Sequence, residues 1–163
     1  MVYRTASEAD IPQLQKLGLN AYGQFHTILT EENWEKLKSI LLSDQTYPEL
    51  LSRSLCFVCE EHKEIIGMAF FISKGNPTDV FHADWSYVRM VGVHTAHSGK
   101  GIGKELMQRC VGQAVRTGEN FIALHTSEFM EAARHIYEGM GFRQIKELEK
   151  RLGKIYWLYV KEL

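Results

Sequence analysis

Residues 91–107 read VGVHTAHSGKGIGKELM, and the fold turns on how this run divides. Its first residues close Trp85–His94 (WSYVRMVGVH), an apolar stretch of strand composition with Gly92 as the expected bulge. After it, Ile102, Leu106, Met107, Cys110, Val111, Ala114 and Val115 recur at helical spacing and mark one face of an amphipathic helix. Gly99, Gly101 and Gly103 lie where the strand passes into the helix. A helix start carries unpaired N–H groups and the positive end of the helix dipole. Glycines there let the backbone turn tightly and approach an anion without a Cβ in the way. Lys100 and Lys104 add local positive charge, so the chemistry implied is phosphate or pyrophosphate binding.

Other phosphate motifs fit poorly. A P-loop needs four residues between its first Gly and the Gly-Lys, then Ser or Thr. Here Gly99 and Gly103-Lys104 enclose three, and Glu105 follows. A dinucleotide fingerprint needs GxGxxG inside a βαβ unit, whereas this run is GxGxG and lies late in the chain.

Working outward, the segments before the run read as antiparallel. Val2–Thr5 suits a strand, and Ser7 followed by Glu8, Asp10 and Pro12 opens a helix to about Tyr22. Thr30 caps a second helix to about Leu42, with Trp34, Leu37, Ile40 and Leu41 on its buried side. Leu55–Glu61 and Ile65–Ser73 are strands joined at His62-Lys63-Glu64 as a hairpin, and Gly75–Asp84 is a loop. Beyond the run come a strand at Phe121–Thr126 and a helix at Met130–Met140. A closing hairpin follows, Arg143–Lys150 with Lys154–Lys161, about Arg151-Leu152-Gly153. The order is βααβββαβαββ. It contains one strand–helix–strand crossover of the kind that parallel strands require. The expected architecture is an α/β (α+β) three-layer sandwich: a mixed, mostly antiparallel central sheet with helices on both faces, in a single domain spanning 1–163.

Composition narrows the function. The chain has 163 residues, 45% apolar and 24% charged, with a net charge of −1. That balance gives no electrostatic case for nucleic acid or an anionic membrane as partner. The longest apolar stretch, Ile65–Ile72, is far too short to span a bilayer, and MVYRTASEAD lacks the apolar core of a signal peptide. Three cysteines form an odd set, unlike a disulfide framework, and point to a reducing cytoplasm.

Ser98-Gly99-Lys100-Gly101-Ile102-Gly103 resembles the acyl-CoA signature [RQ]-x-x-G-x-[GA] of the GNAT superfamily of N-acetyltransferases. Ser98 stands where that family usually has Arg or Gln, and Thr95 where Pro is common. Ala132–Phe142 (AARHIYEGMGF) resembles the second signature, A-x-x-x-Y-x-x-x-G-[FY], through Ala133, Tyr137 and Gly141-Phe142. Met130 replaces an Asn often found before it. The resemblance covers nearly the whole chain and implies direct transfer of the acetyl group of acetyl-CoA to a primary amine, with no metal. It implies that Ser98, Gly99, Lys100, Gly101, Ile102, Gly103 and Lys104 hold the pyrophosphate. The pantetheine arm would then pair with the backbone of Val91, Gly92 and Val93, and Tyr137 would act as general acid on the leaving thiolate.

Less follows for the acceptor. Some relatives carry a Glu on the fourth strand where Tyr87 stands here; Asp84, Tyr87, His125 or a water chain are the candidates for general base. Tyr22, Phe25, His26, Trp34 and the Gly75–Asp84 loop are expected near an acceptor, and Glu31 and Glu32 would attract a cation. A small-molecule amine is the expected acceptor, with a peptide or protein amine as an alternative. A catalytically idle acyl-CoA-binding module is another, on the departures at Ser98 and Met130, and a homodimer is left open. Cys56-Phe57-Val58-Cys59 and His94-Thr95-Ala96-His97 look like redox or metal motifs. Residues three apart on a strand face opposite ways, however, and no carboxylate set accompanies the histidines in sequence.

Overall fold

The computed structural model describes residues 1–163. Its strands are β1 (Val2–Thr5), β2 (Leu55–Glu61), β3 (Glu64–Ile72), β4 (Ser86–Val93), β5 (Phe121–Ser127), β6 (Arg143–Glu147) and β7 (Tyr156–Glu162). The helices are α1 (Ile11–Gly23), α2 (Glu31–Leu42), α3 (Thr46–Ser52), α4 (Ile102–Arg116) and α5 (Glu131–Gly139). All seven strands form one sheet in the order β1-β2-β3-β4-β5-β7-β6. Every neighbouring pair is antiparallel except β4 with β5, which is the pair α4 connects. The expected mixed three-layer architecture is present.

Strand alternation sends side chains to two cores. Phe57, Cys59, Ile66, Phe71 and Val88 pack with Ile102, Leu106, Met107 and Cys110 of α4 and with Tyr137 of α5. Cys56, Val58, Met68, Phe70 and Ile72 pack with Leu14 and Leu17 of α1 and with Tyr47 and Leu50 of α3. Cys56 and Cys59 therefore lie in opposite cores. No helix is long and apolar enough to cross a membrane.

Several expectations need correction. The segment before Leu55 holds a third helix, α3, that the sequence reading left out; it is one short turn pair with Pro48 inside its first turn. Helical residues before Ile11 form a 3-10 turn at Glu8–Asp10, and the sixth strand ends at Glu147 rather than Lys150. The bulge in β4 is not at Gly92. Gly92 pairs with Met68 and Arg89 with Phe70, so the extra residue falls at Met90–Val91, where Met90 takes φ 51°.

One register decides where a site can open. β4 and β5 pair only at Ser86–Ile122 and Tyr87–Ala123, a junction tied by the Ser86 hydroxyl donating to the Phe121 carbonyl at 2.6 Å. Beyond it β4 stays with β3 as far as Val93, while β5 stays with β7 as far as Ser127. The two parallel strands therefore separate and leave a gap in the middle of the sheet.

Candidate functional site

The gap is lined by backbone on its β4 side. The His94 N–H donates to the Ile66 carbonyl at 2.8 Å, so by strand alternation Gly92 also faces β3. Val91 and Val93 then turn their N–H and C=O groups toward the gap. This alters the role expected of Gly92, whose N–H belongs to the ladder. The Val91 carbonyl accepts from the Tyr22 hydroxyl at 3.4 Å, which ties the end of α1 to the bulge.

α4 begins at the open end of β4. Gly101 caps it in the left-handed region at φ 81°, and Gly99 is also left-handed at φ 79°; a Cβ at either would meet no neighbour. The first intrahelical bond into this end is the Glu105 N–H to the Gly101 carbonyl at 3.0 Å. No backbone N–H from Gly99 to Lys104 is used within the chain, and this stretch is mostly exposed. Six successive free donors at a helix start, in open space, form a cradle for an anion. Gly103 lies deeper: a Cβ there would sit 3.5 Å from Ile136 Cδ1 and 3.7 Å from Val93 Cγ2, between α5 and the end of β4. Lys100 Nζ is 3.1 Å from His97 Nδ1, which lies 3.6 Å from Glu61, and His94 Nδ1 accepts from the Ala96 N–H. Glu61 is thus one carboxylate that the fold brings to the histidine pair.

Tyr137 lies in the core on the α4–α5 side of the sheet, buried, with its ring 6.1 Å from that of Phe142. Tyr22 comes from the α1 side, packing against the other core. Burial chiefly, with the Tyr22 phenol adding to it, pushes the Tyr137 pKa well above the ordinary phenol range. Burial likewise pushes Tyr22 up to about 12. Both phenols keep their protons at neutral pH.

The candidates for a base separate clearly. Asp84 is 87% exposed and 4.0 Å from His82. Tyr87 is fully buried, stacked on Phe81 at 4.2 Å, and its hydroxyl donates to the Asn76 carbonyl at 2.9 Å. His125 on β5 has a buried Nδ1 without any partner. Burial, helped by the charges of Arg89 and Arg151, pushes its pKa down to about 3, so the ring is neutral.

The acceptor set also divides. His26 stacks on Trp34 at 4.9 Å and pairs with Glu31 at 3.0 Å, forming a separate cluster on α2. Tyr22 and Phe25 instead begin an aromatic chain: Phe25–Phe129 at 4.9 Å, Phe129–Tyr156 at 6.3 Å, Tyr156–His125 at 5.8 Å and His125–Phe81 at 5.7 Å. Phe129, Tyr156 and Arg89 were not anticipated from sequence. Arg89 had a legible signal, being the one charge within the strand SYVRMVGV. A depression of about 250 Å³ near Thr78–His82 and Ile145 shares Phe81 with this wall but none of the cradle residues.

Residues 20–142, the stretch that holds this splayed pair and the cradle, match a family model for the acetyltransferase (GNAT) family. The chain belongs to the acetyltransferase (GNAT) family. Among individual relatives of this GNAT chain is a Salmonella typhimurium L-methionine sulfoximine/L-methionine sulfone acetyltransferase, 25% identical over 60% of this chain and 64% of that one. Another is N-alpha-acetyltransferase 30 of Saccharomyces cerevisiae, 34% identical over 38% of this chain and 35% of that one. The chain thus spans less than two thirds of the length of either curated relative. The fold is shared with PaiA N-acetyltransferase of Thermoplasma acidophilum, solved in complex with coenzyme A. The TM-score is 0.79 at 14% identity, over 99% of this chain and 98% of that one.

Proposed function

We propose that this chain is an N-acetyltransferase that moves the acetyl group of acetyl-CoA directly to a primary amine of a small-molecule acceptor. The observation that carries this reading is the unbroken run of free N–H groups from Gly99 to Lys104, opening beside the gap between β4 and β5. In this reading Gly99, Lys100, Gly101, Ile102, Gly103 and Lys104 receive the pyrophosphate through backbone donors and two lysine charges. Ser98, whose N–H and hydroxyl are held by the Thr95 carbonyl, fixes the entry to the loop. Gly99 and Gly101 leave the open approach such a ligand needs. Val91 and Val93 offer their gap-facing backbone to the amide-bearing arm, and Gly92 keeps that segment in the ladder. The acetyl-CoA thioester supplies an electrophilic carbonyl and a leaving thiolate.

The amine nitrogen attacks the thioester carbonyl, the C–S bond breaks, and the products are an amide and the free thiol. Tyr137 keeps its proton at neutral pH and donates a hydrogen bond to the departing sulfur. Its raised pKa keeps the phenol protonated, so Tyr137 stabilises the departing thiolate by a hydrogen bond, and the proton lost by the amine, relayed through water, ends on the sulfur. The acceptor amine has to lose a proton. His125, neutral and with an unpartnered Nδ1, can hold the amine by accepting a hydrogen bond, but a ring with a pKa of about 3 does not keep the proton, which leaves through water. Asp84 and Tyr87 are set aside by exposure and by an existing hydrogen bond.

The Salmonella relative's name supports a small-molecule acceptor, and the yeast relative's name supports a peptide amino terminus as the second reading. The three free, buried thiols accord with a reducing, cytoplasmic setting for this one-domain chain. The test is thiol release from acetyl-CoA with a panel of amines and peptides, water-only hydrolysis subtracted. Binding is read separately: acetyl-CoA near 100 times its Kd should stabilise the fold by about 2.7 kcal/mol, and ATP or NAD should not. An unchanged Tm in saturating acetyl-CoA refutes the cosubstrate. Binding without transfer to any amine would indicate an idle acyl-CoA-binding module.

A further inference from the structure

Arg89 is a half-buried cation in the site with nothing to neutralise it. It lies on β4, two residues from Tyr87, and so faces the α1–α3 side of the sheet. None of the chain's ion pairs includes it. The groups acting most strongly on it are two phenols, Tyr22 and Tyr87, and two further cations, Arg53 and Arg151; burial itself lowers its pKa. Arg151 has Asp79 at 3.9 Å, but Arg89 has no such partner. A guanidinium removed from water is costly unless an anion meets it.

A second unsatisfied group faces the same space. His125 and Arg89 lie on the same side of the sheet, on the two strands that splay, and the buried His125 Nδ1 has no partner. Phe81, Phe25, Phe129 and Tyr156 wall this space with apolar ring surface. A polyamine or a lysine side chain would bring a second cation to Arg89. A peptide amino terminus would bring no anion next to its amine.

We propose that the acceptor is an amino-acid-type zwitterion whose carboxylate is held by Arg89, whose amine lies beside His125 at the gap, and whose side chain rests on the Phe25–Phe129–Tyr156 wall. The proposal rests on the acetyltransferase reading and specifies its substrate class. Arginine presents a planar fork that matches a carboxylate, which a neutral amide or a bare amine lacks.

The experiment compares initial rates with acetyl-CoA for free amino acids, their carboxamides and their decarboxylated amines, with L-phenylalanine, L-methionine and L-leucine first. Free acids should lead by about tenfold to a hundredfold in kcat/KM, the size of one charge-assisted contact. Arg89→Gln should erase that preference by raising KM for the acid, with acetyl-CoA affinity by titration calorimetry unchanged, and Arg89→Lys should restore part of it. A readout free of turnover is the Tm with coenzyme A and N-acetyl-L-phenylalanine or its amide. The acid should raise the Tm of the wild type but not of Arg89→Gln, and the amide should raise neither. Equal rates for acids and amides overturn the proposal. So does acetyl-CoA binding with none of the twenty free amino acids accepted and no Tm rise from their N-acetyl forms. Failure of acetyl-CoA to bind overturns the parent reading instead.

Discussion

Gly67 on β3 lies directly beneath Ile102, the first residue of α4: a Cβ at Gly67 would come within 2.7 Å of Ile102 Cγ2 and 3.0 Å of Leu106 Cδ1. Strand alternation puts this position, with Ala69 and Phe71, on the α4 face of the sheet. The glycine thereby sets how closely the cradle helix approaches the sheet. Gly67→Ala forces either the stiff Ile102 methyl or the whole helix start to move. We expect a loss of about 1–3 kcal/mol by chemical denaturation, the usual cost of overpacking. Acetyl-CoA affinity should fall in parallel by titration calorimetry. Wild-type values for both would show that α4 is not held at this point.

Gly101 and Gly103 are different probes of the cradle. Gly101 at φ 81° is strained by any side chain although its surroundings are open, so Gly101→Ala should cost about 1–2 kcal/mol of stability. Gly103 is helical, and its added Cβ would meet Ile136 and Val93 at ordinary contact distances. Gly103→Ala should therefore keep the fold intact, with helix propensity in its favour. The new methyl would narrow the passage between α5 and the end of β4, lowering acetyl-CoA affinity about tenfold or more. Lys104→Ala should cost less and show a steeper salt dependence in the wild type than in the variant. Unchanged affinity in Gly103→Ala would place the cofactor's path elsewhere.

Tyr137→Phe removes one hydroxyl that has no partner in the protein, so denaturation should change by less than about 0.5 kcal/mol. With acetyl-CoA and an accepted amine, kcat should drop about a hundredfold, the size of losing one hydrogen-bond donor to a developing anion, while KM for acetyl-CoA stays put. Full activity in the variant would assign leaving-group stabilisation to another group.

His125 gives the chain a pH signature. Its folded-state pKa of about 3 lies below the ordinary 6.5, so between those values the unfolded chain binds the extra proton. Stability should accordingly fall as pH drops below about 6.5, by at most about 1.4 kcal/mol per unit from this group. The Asp10 carboxyl, held below its ordinary 3.8 by hydrogen bonds from Arg4, adds its own loss only at more acidic pH. Denaturation of wild type and His125→Gln between pH 4.5 and 7 isolates the histidine. The variant should show the shallower profile, and NMR should show the His125 ring still neutral at pH 4.5. Identical profiles would mean that the ring titrates normally.

The cradle was legible in the sequence because its determinants are local. Gly99 and Gly101 need left-handed backbone, Ile102 and Leu106 need helical spacing, and Lys100 and Lys104 lie four residues apart in the same short run. The β2–β3 hairpin and the β4–α4–β5 crossover followed in the same way from runs of apolar residues and a helix of the right length. α3 was missed because Thr46–Ser52 is too short for a periodic stripe and is held by Tyr47 and Leu50 packing under the sheet. The bulge was placed at Gly92 by propensity, but tertiary pairing with Met68 and Phe70 put it at Met90–Val91. The acceptor side depended on distance in space. Tyr22, Arg89, His125, Phe129 and Tyr156 come from four separate segments, and no spacing rule in the sequence connects them. They become one site only because β4 and β5 part after Tyr87, and the register of two strands joined through a whole helix is fixed by the packing of both cores.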